Sequence, residues 1–201
     1  MPTVLDTKYK SILTREQSLA RAVAISVVKA KPITVWEVTI PIIFILSYMR
    51  RKSSREIFTQ NFLFTKNLAM EAALEMIKKG QPREEVMSRI EDKTSSLLTS
   101  VNEGIYSEEI RQMQLKEIGL LIDHYCKLLK AEGKDCASLV INAYKSQKDY
   151  STFLRQLKEA EKQVTHAARQ TLGAQTDPEI VFRMEEATDR VRTAEAGKIF
   201  G

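Results

Sequence analysis

Asp123-His124-Tyr125-Cys126 is the densest group of reactive side chains in the sequence. A catalytic thiol needs a neighbouring base and a lowered pKa. On a helix, residues two apart lie about 200° around from each other, so His124 and Cys126 point to different faces. Asp123 is one step from His124 and does not face it either. A meeting of His124 with Cys136 across the turn at Gly133 is the remaining route to thiol chemistry. Tyr125 falls on an apolar stripe, which makes Cys126 a partly buried core thiol. No catalytic role is assigned to this group.

Metal chemistry finds little support. A di-iron helical bundle uses a Glu three residues before each His. Leu121 holds that place before His124 and Gln163 before His166. The two cysteines, Cys126 and Cys136, and the two histidines lack the paired spacing of a zinc site. Gly-rich phosphate loops and the Gly-x-Ser-x-Gly elbow are missing from the sequence. No catalytic, cofactor-binding or metal-ligating residue is therefore expected, and no cofactor. Phe58, Phe62, Phe64 and Trp36 could line a lipid- or quinone-like pocket. Phe58 and Phe62 sit at core spacing, however, while Phe64 leaves that stripe and is expected at a membrane or partner contact. The pairs Arg50-Arg51 and Lys78-Lys79 read as a membrane flank and a helix C-terminal charge, not as phosphate readers.

The elements that would position any site are helical. Hydrophobic residues make up 43% and charged residues 28% of the 201 residues, which is a globular composition. Seven glycines and five prolines are few for an all-β fold. Thr14 and Gln17 form a capping-box pattern before a helix over about 15–30, carrying Leu19, Ala22, Val23 and Val27. Further helical periodicities cover about 53–79, 83–101, 107–131, 135–147, 150–172 and 178–196, with the tail from Gly197 expected to fray. The expected fold is all-α: N-terminal amphipathic and short apolar membrane-associated helices, then an antiparallel bundle of about five to six helices. Residues 1–52 form the basic membrane-associating region, and 53–201 the cytoplasm-facing bundle.

The apolar segment 33–49 contains one charged residue, Glu37. At 1.5 Å per residue it reaches about 25 Å, short of a bilayer core of about 30 Å. Trp36 and Tyr48 lie near its ends, at the level where amphipathic rings favour headgroups. Basic residues flank both sides, and Pro41 permits a bend. Three readings follow: a short transmembrane helix, a shallow monotopic insertion, or a buried core helix of a soluble bundle. Ile42 to Leu46 is apolar on every face, which disfavours the third. The expected membrane contacts are Trp36, Val38, Ile40, Ile42, Ile43, Phe44, Ile45, Leu46 and Tyr48, with Arg50, Arg51 and Lys52 on anionic headgroups.

The formal charge is +5. Residues 1–52 hold nine basic and three acidic groups, and the remaining 149 residues hold 22 and 23. The basic excess thus belongs to the neighbourhood of the apolar segment, and nucleic acid is not an expected partner. The sequence points to a membrane-tethered, non-enzymatic helical adaptor that binds another protein or its own copy. The rivals are a membrane-associated enzyme or lipid-handling protein, whose site lies between bundle and bilayer, and a soluble helical protein. A deep polar pocket holding Asp123, His124 or Glu37 would favour the enzyme.

Overall fold

The computed structural model describes residues 3–27, 54–100, 106–172 and 178–201. The segment 33–49, its contacts from Trp36 to Tyr48, and Arg50, Arg51 and Lys52 lie outside the described residues. Thr3 opens the first helix. Its hydroxyl accepts from the Asp6 amide at 3.1 Å, and the Asp6 carboxylate accepts from the Thr3 amide at 3.0 Å. This reciprocal cap starts α1 at Val4, and the helix runs to Val27. The start expected at Thr14 is corrected: Leu5, Tyr9 and Ile12 extend the apolar spacing upstream, and Thr14 is an exposed mid-helix residue.

Six more helices follow among the described residues: α2 (Ser54–Lys79), α3 (Arg83–Ser100), α4 (Glu108–Lys130), α5 (Cys136–Tyr144), α6 (Gln147–Leu172) and α7 (Pro178–Phe200). The described chain is all-α, and no described helix is long and apolar enough to cross a membrane. Gly80, at φ 66°, takes the left-handed turn that ends α2. At Gly133 a side chain would strike Ser138 Oγ and the Leu139 amide, so only glycine lets the α4–α5 turn close this tightly. The expected fraying of the tail is also corrected. Ile199 and Phe200 pack on the main core, and the Phe200 ring lies 6.0 Å from Tyr150.

Asp135 caps α5 by accepting from the Ser138 amide at 2.8 Å, and Ser138 Oγ accepts in turn from the Asp135 amide at 3.2 Å. Replacing Asp135 with Ala should cost about 1 kcal/mol, the usual loss for an N-cap. For a chain of this size that lowers the melting temperature by about 2–4 °C, measurable by calorimetry.

Contacts at helix ends set the directions. Asp6, at the start of α1, pairs with Lys78 at the end of α2. Lys8 donates to the carbonyls of Leu129 and Ala131 at the end of α4. Ser107, the α4 N-cap, meets Thr171 at the end of α6 at 2.8 Å. Thus α1 runs opposite to α2 and α4, and α4 opposite to α6. Neighbouring α2 and α4 run the same way, because α3 makes the return passage between them. This departs from a purely antiparallel arrangement.

Helices α1, α2, α4, α6 and α7 pack in sequence around a closed ring, with α7 returning to α1. α3 lies against α2 and α4, while α5 closes one end. The main apolar cluster, with Ile12, Met70, Ile122, Tyr125 and Leu128, fills that end. Smaller clusters around Val23 and Phe58, and around Ile110 and Val164, fill the end to which residues 28–53 connect. A polar layer lies between the two ends.

Candidate functional site: a charged layer inside the helical ring

Each helix of the ring supplies one charged side chain to the polar layer: Glu16 from α1, Lys66 from α2, Glu117 from α4, Glu161 from α6 and Arg192 from α7. Four are buried, at 2–7% exposure, and Glu161 keeps 24% of its side chain open. Apolar neighbours on each helix place them. Glu117 is followed by Ile118 and Leu121, and Lys66 by Leu68 and Ala69, all of them core residues. The same periodicity that buries the stripe carries the charged residue inward.

The pairing is specific. The Arg192 guanidinium grips Glu161 with two parallel bonds of 2.6 and 2.7 Å. Lys66 Nζ lies 3.4 Å from Glu161 Oε1, 3.4 Å from the Phe62 carbonyl, and 4.1 Å from the centre of the Phe62 ring. Thr65 Oγ1 donates to Glu117 Oε1 at 2.8 Å. Alongside, Arg15 binds Glu195 at 2.7 and 3.0 Å and donates to the Tyr150 hydroxyl at 2.7 Å.

Two carboxyl groups of the layer, Glu117 and Glu161, are driven apart. Burial, reinforced by the negative charge of Glu161, pushes Glu117 up to about 7, although Lys66, Thr65 and Arg192 oppose it. Burial would raise Glu161 too, but Arg192 and Lys66 outweigh it and hold that group down at about 2. Glu117 thus holds a proton close to neutrality and Glu161 does not.

These groups line a cavity of about 370 Å³ between α2, α4, α6 and α7. That lies at the lower end of the range for small-molecule sites. Asn61 lines the cavity from α2, and its Oδ1 is buried with no hydrogen-bond partner among the described residues. Phe62, Leu154 and Met184 supply apolar wall. At the rim Lys158 is neutralised by Asp189 at 2.8 Å.

The residues first considered for chemistry lie elsewhere. Asp123 is exposed and paired with Arg83. His124 is buried, stacked on Phe153 at 4.1 Å, and its Nδ1 meets the Tyr144 hydroxyl at 2.7 Å. Burial first, then the charges of Arg15, Arg192 and Lys127, hold His124 well below its ordinary value. It does not meet Cys136, which lies beside Arg15 and is raised to about 11 by burial. Burial also raises the half-buried Cys126. Neither thiol has the lowered pKa that nucleophilic chemistry needs. His166 is exposed and faces Gln170 at 3.0 Å. Among the described residues, no group of three or more His, Cys, Asp or Glu side chains is arranged to hold a metal.

Phe64, expected at a membrane or partner contact, is partly buried and packs against the main core. Phe58 belongs to the core as expected, whereas Phe62 both packs on it and lines the cavity. Lys66, Glu117, Glu161 and Arg192 were missed by reading the sequence. The available signal was a charged residue on an apolar stripe, as Glu117 is beside Met113, Ile118 and Leu121.

Compared with known protein families, with curated proteins and with solved structures, the chain matches none.

Proposed function

We infer that this protein is a membrane-tethered helical module that binds a small ligand inside its bundle and performs no covalent chemistry on it. One observation carries the reading: a cavity lined by charged side chains from four helices, three of those side chains buried, together with an acceptor, Asn61 Oδ1, that no described residue satisfies. Burying a charge costs several kcal/mol, and apolar replacement of buried pairs is often neutral or stabilising. A bundle selected for stability alone has little use for such a layer. The tether rests on segment 33–49 and its basic flanks. A protein partner, the adaptor reading, is the second possibility.

Two measurements test this. The full chain should stay with membranes in alkaline carbonate; release into the supernatant removes the tether. Native mass spectrometry of the protein purified from its own membranes should show a small-molecule adduct. Thr188→Trp, which fills the cavity, should lose that adduct. A chain that carries a second protein and no adduct favours the adaptor.

A further inference from the structure

The charged groups of the cavity are largely matched among themselves. Its lining carries five basic and four acidic side chains. Lys66 and Arg192 are committed to Glu161, and Lys158 to Asp189. Glu117 accepts from Thr65 and faces the charges of Lys66 and Arg192. Arg155 and Lys162 are exposed, so an anion that met them would stay in contact with water and be screened. Charge does not select the ligand.

The uncharged groups do. Asn61, Thr165 and Thr188 line the cavity from α2, α6 and α7, and each is only 6–7% exposed. Asn61 Oδ1 and the two threonine hydroxyls make no hydrogen bond to a described residue. Other threonines of α6 behave differently: Thr152 and Thr171 turn their hydroxyls back on the carbonyls of Lys148 and Ala167, one turn earlier. Buried polar groups without partners are costly, and three of them on three helices surround one space. A hydroxyl both donates and accepts, so it can pair with a threonine hydroxyl in either direction and donate to Asn61 Oδ1. Phe62, Leu154, Val164 and Met184 complete the wall and suit hydrocarbon. An ion would exchange its hydration for this wall with no buried counter-charge left uncommitted, whereas a neutral hydroxyl gives up much less.

We propose, on the ligand-binding reading above, that the cavity takes a small neutral molecule with two or more hydroxyl groups on a short hydrocarbon frame, its hydroxyls bound by Asn61, Thr165 and Thr188.

1,2-Hexanediol, 1-hexanol, hexanoate and n-hexylammonium, which differ mainly in the head group, test this by NMR titration of the full chain labelled at its methionine and leucine methyls. The diol should shift the Met184 and Leu154 signals saturably. 1-Hexanol should bind about fivefold more weakly, the worth of one hydrogen bond. Both ions should bind roughly tenfold or more weakly than the diol. Thr165→Val, Thr188→Val and Asn61→Leu, which nearly keep side-chain shape, should each weaken the diol about fivefold. Arg155→Gln combined with Lys162→Gln should leave it unchanged. Thr188→Trp should abolish the saturable shifts, which separates binding in the cavity from partition into lipid or detergent. Absence of diol binding, binding of the diol no tighter than 1-hexanol, or preference for either ion overturns the assignment. So does a diol affinity that Asn61→Leu, Thr165→Val and Thr188→Val all leave intact. The ligand-binding reading fails separately, if no adduct is recovered from membranes.

Discussion

Arg192→Met should destabilise the protein by about 3–5 kcal/mol, the usual consequence of removing one partner of a buried ion pair. The loss comes less from the missing bonds than from what remains. Glu161 keeps its negative charge inside the ring with only Lys66, 3.4 Å away, to answer it. Because 24% of the Glu161 side chain is open to the cavity, water relieves part of the penalty, and the lower end of the range is expected. Chemical denaturation of the full chain measures it. Arg192→Met combined with Glu161→Gln should recover at least half of the loss, since Glu117 can then ionise as the counter-ion of Lys66. Strict additivity of the two substitutions would show that the pair does not act as a unit. Exposed pairs such as Lys158–Asp189 should each contribute less than about 1 kcal/mol.

The second large effect is on pH dependence. The folded value of Glu117, about 7, lies above the ordinary 4.5. Between those values the folded chain holds a proton that the unfolded chain has released. Stability contributed by this group therefore falls as pH rises from about 4.5, and the loss is complete above about 7, amounting to about 3 kcal/mol. His124 acts in the opposite sense. Held well below 6.5, it stays neutral when the unfolded chain protonates, so its contribution is lost as pH falls below 6.5. The two slopes oppose each other below pH 6.5, so each partly masks the other in the wild-type profile. Glu117→Gln keeps an acceptor for Thr65 and removes the titration. Relative to wild type, it should gain about 3 kcal/mol between pH 4.5 and 8, or about 6–12 °C in melting temperature. Its own profile should fall on the acid side, where His124 is no longer offset. A gap between the two proteins that stays constant with pH would place Glu117 in an ordinary carboxyl environment.

Helix placement was largely readable, because apolar spacing and caps are local. The stretches expected over 83–101, 107–131 and 178–196 correspond to α3, α4 and α7 within a few residues. The errors had local causes too. Thr14 and Gln17 match a capping pattern, but Thr3 and Asp6 match one earlier, and a helix already under way has no need of the second. Phe64 leaves the stripe of its own helix and still finds the core, because α2 has neighbours on more than one side.

The sequence by itself determined that this chain is helical, roughly where most of its elements lie, that its basic excess surrounds the apolar segment 33–49, and that His124 shares a helix face with neither Asp123 nor Cys126. These follow from periodicity and composition, which act over a few residues. Only the tertiary structure decided that Lys66, Glu117, Glu161 and Arg192 meet. They lie up to 126 positions apart, and only Lys66 and Glu117 are each one charged residue among largely apolar neighbours one turn away. Which of them are paired and which carries a proton depends on distances between helices and on water excluded by the ring. Neither is encoded in any single stretch of the chain.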